Sequence, residues 1–152
     1  MSFTGRSGTR GARQPRGKVA AWMNKQMSKR VRKTGRTMGF NALVLTTVGS
    51  KTGTARQNPV AWFAGDDGSW LIVASAGGAA RNPAWYYNIA AHPDQVEIEV
   101  DGRKVPVTAE QLHGTERDEA WRHITTAVPR FGGYEGKTDR EIPVIRLVPR
   151  PG

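Results

Sequence analysis

No cysteine occurs anywhere in the 152 residues. That excludes disulfides, thiolate nucleophiles and zinc–sulfur sites together. Apolar runs are short, and none approaches the roughly 18 residues that a membrane-spanning helix needs. The basic N-terminus lacks the continuous apolar core of a secretory signal, so a cytoplasmic protein is expected. Histidine is scarce: His92, His113 and His123 stand far apart in the chain and have no metal-ligand spacing, so no metal site is expected. Acids are missing from the first 65 residues, which hold 13 Lys and Arg; all 13 Asp and Glu lie from Asp66 onward. A front half charged this way points to an anionic partner, whether nucleic acid, acidic lipid or an anionic cofactor.

What is present fits one domain with a real core, at 38% apolar content. Residues 1–17 are Gly, Arg, Ser and Thr with almost nothing apolar, and read as a disordered basic arm. Residues 18–37 form a basic amphipathic helix. Val19, Met23, Met27 and Val31 fall on an i, i+4 row, and Lys18, Lys25, Lys29, Arg32 and Arg36 gather opposite, with Trp22 at the boundary. Such a helix either lies on an anionic membrane surface at the inner face of the cell membrane or packs its stripe on its own domain.

From residue 38 to 152 the period changes. Strands are expected over 42–48, 56–63 and 70–74, with turns at 49–53 and 65–68; such short gaps favour antiparallel hairpins over crossovers. Asn82-Pro83 has the chemistry of a helix start, Asn as cap and Pro in the first turn, before "AWYYNIAA". "QVEIEV", "DG" and "KVPVTAEQL" form a hairpin pattern. Residues 115–118 resemble a capping box ahead of a helix that turns Trp121, Ile124 and Val128 inward. A Gly-rich loop, 131–136, leads to a last strand over 143–148. The expected class is α+β, an antiparallel sheet closed as a barrel with a few flanking helices.

The stretch "VGSKTGTARQNP" resembles a phosphate loop, but its spacing is wrong for one. A Walker loop needs four residues between its glycines, then Gly-Lys, then a helix. Here Lys51 follows Ser50 and a strand follows the turn. No Rossmann glycine pattern occurs, and neither Ser50 nor Ser75 has the surroundings of a hydrolase nucleophile. What remains is two anion-friendly edges. One is the 49–53 turn with Lys51 and Arg56. The other is "ASAGGAARNPAWYY", small residues leading into a helix N-terminus.

"LTTVGSKTGTARQNPV", "LIVASAGGAARNPAWYYNIAAHPDQVEIEV" and "TDREIPVIRLVPR" together resemble the deazaflavin-dependent nitroreductase family, actinobacterial oxidoreductases that use coenzyme F420. The resemblance covers residues 38–150. It implies a split β-barrel of the FMN-binding type and a hydride-carrying deazaflavin with a ribityl chain, a phosphate and a polyglutamate tail. It implies that Ser50, Lys51, Arg56, Gln57 and Asn58 hold the phosphate and tail. Val73, Ala74, Ser75, Ala76, Gly77 and Gly78 would line the ring and ribityl region, and Ala84, Trp85, Tyr86 and Asn88 would close over the cofactor. Tyr134 and Ser75 are the implied catalytic residues, with Phe131 and Tyr134 in the substrate pocket. The implied partners are small hydrophobic electron acceptors: quinones, enones, unsaturated lactones such as coumarins, and some nitro compounds.

The chain departs from that family at two places. Ala76 stands where relatives often carry Lys, and Ser50 where they often carry Arg, so two positive charges near the cofactor are gone. The alternatives are a non-catalytic barrel, an FMN or haem binder, or a basic arm for nucleic acid or anionic membrane. No recognition motif supports specific nucleic-acid binding.

Overall fold

The computed structural model describes residues 3, 17–37, 40–74, 82–129, 133 and 142–150. Its elements run α1 (Gly17–Thr34), β1 (Arg36–Thr37), β2 (Phe40–Val48), β3 (Ala55–Ala61), β4 (Phe63–Ala64), β5 (Trp70–Val73), α2 (Ala84–Ala91), β6 (Val96–Val100), β7 (Arg103–Gln111), α3 (Gly114–Ala127) and β8 (Val144–Pro149).

In β6 the alternation predicts the faces correctly. Val96, Ile98 and Val100 are buried, and Glu97 and Glu99 stand half-buried on the other side. The turn after it is built by Asp101 and Gly102, both at positive φ (52° and 76°). Two such residues twist a two-residue hairpin the way its strands twist.

The strands follow the order β1-β2-β6-β7-β8-β5-β4, and β3 joins β2 as well. All pairings among them are antiparallel. Only Trp62 separates β3 from β4. β3 pairs with β2 at one end of this order, while β4 pairs with β5 at the other. The chain running through Trp62 therefore joins the two sides of the order and closes the sheet into a split barrel. This is the split barrel anticipated above, and the single strand expected over 56–63 is two short ones because it changes partner.

Leu43 and Leu45 of β2, Ile72, Ile98, Val107 and Leu147 fill the interior, which Trp85, Tyr86 and Ile89 of α2 complete. The Tyr86 hydroxyl donates to Gln111 Oε1 at 2.5 Å, so the buried phenol is satisfied. A second cluster sets Trp121 and Ile124 of α3 against Leu71, Leu112, Ile142 and Val144, with Val128 at its edge. Arg146 ties β8 to Glu110 of β7 and Glu116 of α3.

Three local expectations need correction. α2 is capped by Pro83, not Asn82, and α3 by His113, not Thr115; neither has a side-chain cap bond. Asn82 is instead buried, so its position answers to tertiary packing. α1 ends at Thr34 rather than near residue 37. Gly35 takes φ 71° and donates its N–H to Val31 O at 2.7 Å, and a left-handed glycine stops a helix. Of the arm expected over 1–17, Phe3 packs edge-on against Tyr86, with ring centroids 5.8 Å apart; residues 4–16 lie outside the described residues.

The apolar row of α1 does not make one face. Each i, i+4 step drifts by about 40°, so three steps turn the row by about 120°. Val31 is accordingly buried against Ala42 and Val44, whereas Val19 is 69% exposed. Trp22 is 63% exposed as well.

Candidate cofactor-binding cleft

The β2–β3 hairpin ends in the loop 49–54, and its glycines are there for different reasons. At Gly49 a Cβ would stand 2.6 Å from Thr52 Oγ1 and 3.2 Å from Thr54 O. Gly53 has open space around it but sits at φ 69°. Loop amides are mostly used internally. Gly49 N–H donates to Thr54 O, and Gly53 N–H to Gly49 O. Thr54 N–H donates to Thr52 Oγ1 at 3.3 Å. Ser50 N–H donates to Asn88 Oδ1 at 3.0 Å, and Asn88 Nδ2 donates in turn to Thr47 Oγ1 at 3.1 Å. Among the described residues, only the Lys51 and Thr52 amides of this loop lack a protein acceptor. The loop is thus braced by α2, and its charge comes from side chains more than from a cradle of free amides.

Beside it lies an open cleft of about 1020 Å³. Three walls meet there. The hairpin brings Gly49, Ser50, Lys51, Thr52, Ala55, Arg56, Gln57 and Asn58; α2 brings Ala84, Tyr87 and Asn88; α1 brings Ala21, Asn24, Lys25, Ser28, Lys29 and Arg32. The register with β2 places Arg56 and Asn58 on one face of β3 and Gln57 on the other, so the cleft wraps around that strand. Gln57 is held from α1, accepting from Arg32 Nη2 at 2.7 Å, while Arg32 Nε donates to Glu99 of β6.

The electrostatics are one-sided. Among the described residues, no Asp or Glu lines the cleft. Arg32 is neutralised by Glu99, but among the described residues no carboxylate pairs with Lys25, Lys29, Lys51 or Arg56. Ser28 adds a hydroxyl that is buried without a hydrogen-bond partner among the described residues. Cations without counter-charges and an unsatisfied hydroxyl suit an anionic guest.

Seven of the residues singled out from the sequence line this cleft: Ser50, Lys51, Arg56, Gln57, Asn58, Ala84 and Asn88. Four others do not. Trp85 and Tyr86 are core residues, Ala74 is fully buried, and Val73 packs at the second cluster. Helix geometry decides this: turning Trp85 and Tyr86 into the barrel leaves Tyr87 as the α2 aromatic on the cleft. Ser75, Ala76, Gly77, Gly78, Phe131 and Tyr134 lie outside the described residues. Sequence reasoning missed Tyr87 and the α1 wall. The signal for the wall was the spacing 21, 24, 25, 28, 29, 32, one continuous helical stripe. Among the described residues no three His, Asp or Glu side chains gather to hold a metal ion, and no helix is long and apolar enough to cross a membrane.

An antiparallel barrel with a cationic cleft beside its β2–β3 hairpin places the chain in the class of split-barrel proteins. The family model for F420H2-dependent quinone reductases matches residues 18–149. An F420H2-dependent quinone reductase of Mycobacterium tuberculosis is 38% identical over 112 residues, 72% of this chain and 74% of that protein. Among solved structures, the F420H2-dependent reductase FDR-A superposes with a TM-score of 0.62 at 36% identity, covering 70% of this chain and 92% of the other. HutZ, a haem storage protein of Vibrio cholerae, shares the fold alone, with a TM-score of 0.52 at 15% identity over 85% of this chain and 92% of that one. The chain belongs to the F420H2-dependent quinone reductase family. As a member it is an oxidoreductase that works with coenzyme F420.

Proposed function

We propose that this protein reduces quinones with F420H2, and that activated C=C acceptors such as enones and unsaturated lactones are alternative substrates, with nitro compounds the poorest. The observation that carries the reading is the cleft in which Lys25, Lys29, Lys51 and Arg56 meet no acid among the described residues. The donor set fits the cofactor, which is anionic through its phosphate and glutamates. When bound, the reduced deazaflavin supplies a hydride, and the protein supplies binding, orientation and electrostatics.

Lys51 and Arg56 hold the phosphate by charge-assisted hydrogen bonds, with Asn58 and the loop at Ser50 beside them. Asn88 keeps that loop in place. A quinone takes up one hydride and one proton for each turnover to hydroquinone. The family resemblance would assign the proton to Tyr134 Oη, the packing of the acceptor to Phe131, and the ring contacts to Ser75, Ala76, Gly77 and Gly78.

Quinones of this kind are lipophilic, and α1 offers a face for reaching them. Val19, Trp22 and Met23 are exposed beside Arg30 and Lys33. Apolar and basic groups on one helical face favour a peripheral contact with anionic lipid.

Titration with F420 and, separately, FMN, read by Trp fluorescence quenching, tests the reading. Saturable F420 binding is expected, weakened about tenfold or more in Lys51→Ala or Arg56→Ala. Tight FMN binding with no F420 binding would sink it. Turnover on a panel of quinones, enones, lactones and nitroarenes ranks the acceptors.

A further inference from the structure

The cleft has more positive charge than a phosphate needs. A phosphodiester carries one negative charge, and Lys51 and Arg56 on the hairpin already exceed it. Lys25 and Lys29 stand on the opposite wall, one helical turn apart. Side chains at this spacing start about 5–6 Å apart on the same face. Between them in sequence is Ser28, only 2% exposed, with an Oγ that has no partner among the described residues. A buried, unmade hydrogen bond is destabilising. Ser28 lines the cleft between Lys25 and Lys29, so its hydroxyl is a donor left for a guest there. Arg32 one turn further is occupied by Glu99 and Gln57, and this anchors the wall.

We infer that α1 is the subsite for the glutamate tail of the cofactor, with Lys25 and Lys29 receiving successive carboxylates and Ser28 Oγ donating to one of them. This rests on the F420 reading and divides the work of the cleft: the hairpin holds the phosphate, and the helix reads the chain of carboxylates beyond it. Amphipathic patterning alone would lay all the lysines of α1 on lipid. Instead the helix has two working faces, Lys25 and Lys29 toward the cleft and Trp22 with its exposed neighbours away from it.

The test compares two ligands by Kd: F420 bearing several glutamates, and the same deazaflavin ending at its phosphate without glutamates. Wild type should bind the tailed form about tenfold more tightly, from two solvent-accessible charge contacts and a hydrogen bond. Lys25→Ala/Lys29→Ala should abolish that preference while weakening the tailless form far less than Lys51→Ala does. Ser28→Ala should reduce the preference about threefold, with no loss of thermal stability. Lys51→Ala should weaken both ligands equally. An isolated γ-linked oligoglutamate should compete with tailed F420 in wild type but not in the double variant. The inference falls if the double variant weakens both ligands alike, keeps the preference, or if wild type shows no preference. If neither deazaflavin binds wild type, the cofactor reading falls first and this one with it.

Discussion

Asn88 on α2 holds the hairpin loop from across the cleft: its Oδ1 accepts the Ser50 N–H at 3.0 Å, while its Nδ2 donates to Thr47 at 3.1 Å. At 8% exposure the amide is nearly dry. Asn88→Ala should therefore cost about 1–3 kcal/mol in urea denaturation, since it leaves the Thr47 hydroxyl and the Ser50 amide unpaired. Asn88→Asp keeps an acceptor for Ser50 and should lose less stability. It also puts a carboxylate into the cleft, so its F420 affinity should fall further than that of the alanine variant. The reverse order of affinities would show that Asn88 does not act on an anion site.

The two loop glycines should fail differently. Gly53→Ala meets no atom but must hold φ near 69°, a left-handed strain of about 1–2 kcal/mol. Gly49→Ala has an ordinary backbone angle, but its Cβ displaces Thr52 Oγ1 and crowds Thr54 O. Combining it with Thr52→Ser should not help, whereas Thr52→Ala should recover part of the loss by removing the nearest atom. Unfolding midpoints of the single and double variants measure both effects.

Arg32 anchors α1 to β3 and β6 through Gln57 and Glu99. Arg32→Ala should lower stability by no more than about 1 kcal/mol, because the pair is partly exposed and screened. The larger effect should be local: amide exchange in α1 should accelerate relative to the barrel strands. Lys104 lies 3.9 Å from Glu99 and takes up part of the lost neutralisation. Adding Glu99→Gln to Arg32→Ala should restore the remainder.

Trp22 gives the membrane contact its own reporter. With vesicles containing anionic lipid, Trp fluorescence should shift to the blue, and Trp22→Ala together with Met23→Ser should reduce vesicle binding about tenfold, following the apolar area withdrawn. Neither change touches the cleft, so F420 affinity should stay at the wild-type value. Equal vesicle binding by the variant would remove α1 from any role at the bilayer.

Much of the fold was legible because period-two alternation and turn chemistry are local. Val96 to Val100, the Asp101-Gly102 turn and the helix "AWYYNIAA" stand where their patterns put them. Caps were less legible. A candidate cap such as Asn82 or Thr115 competes with burial and with the path of the preceding strand, and those are set by contacts far away in sequence. The hairpin side of the cleft was also readable, since Ser50 to Asn58 lie together along the chain. Its helical side was not: Lys25 and Lys29 are basic residues on an amphipathic helix by any local measure, and nothing near them in sequence says what they face.

The sequence by itself determined the strand faces, the glycine-bound hairpins, the acid-free front half and, through its motifs, the family. Tertiary structure alone decided closure and orientation. A strand had to change partners at Trp62 to close the barrel, and α1 had to pack through Val31 on Ala42 and Val44 of β2 before its lysines could share a cleft with Lys51 and Arg56. Local periodicity specifies which residues share a face. Which two faces meet depends on long-range pairing, and there the unpaired charges of the cleft were brought together.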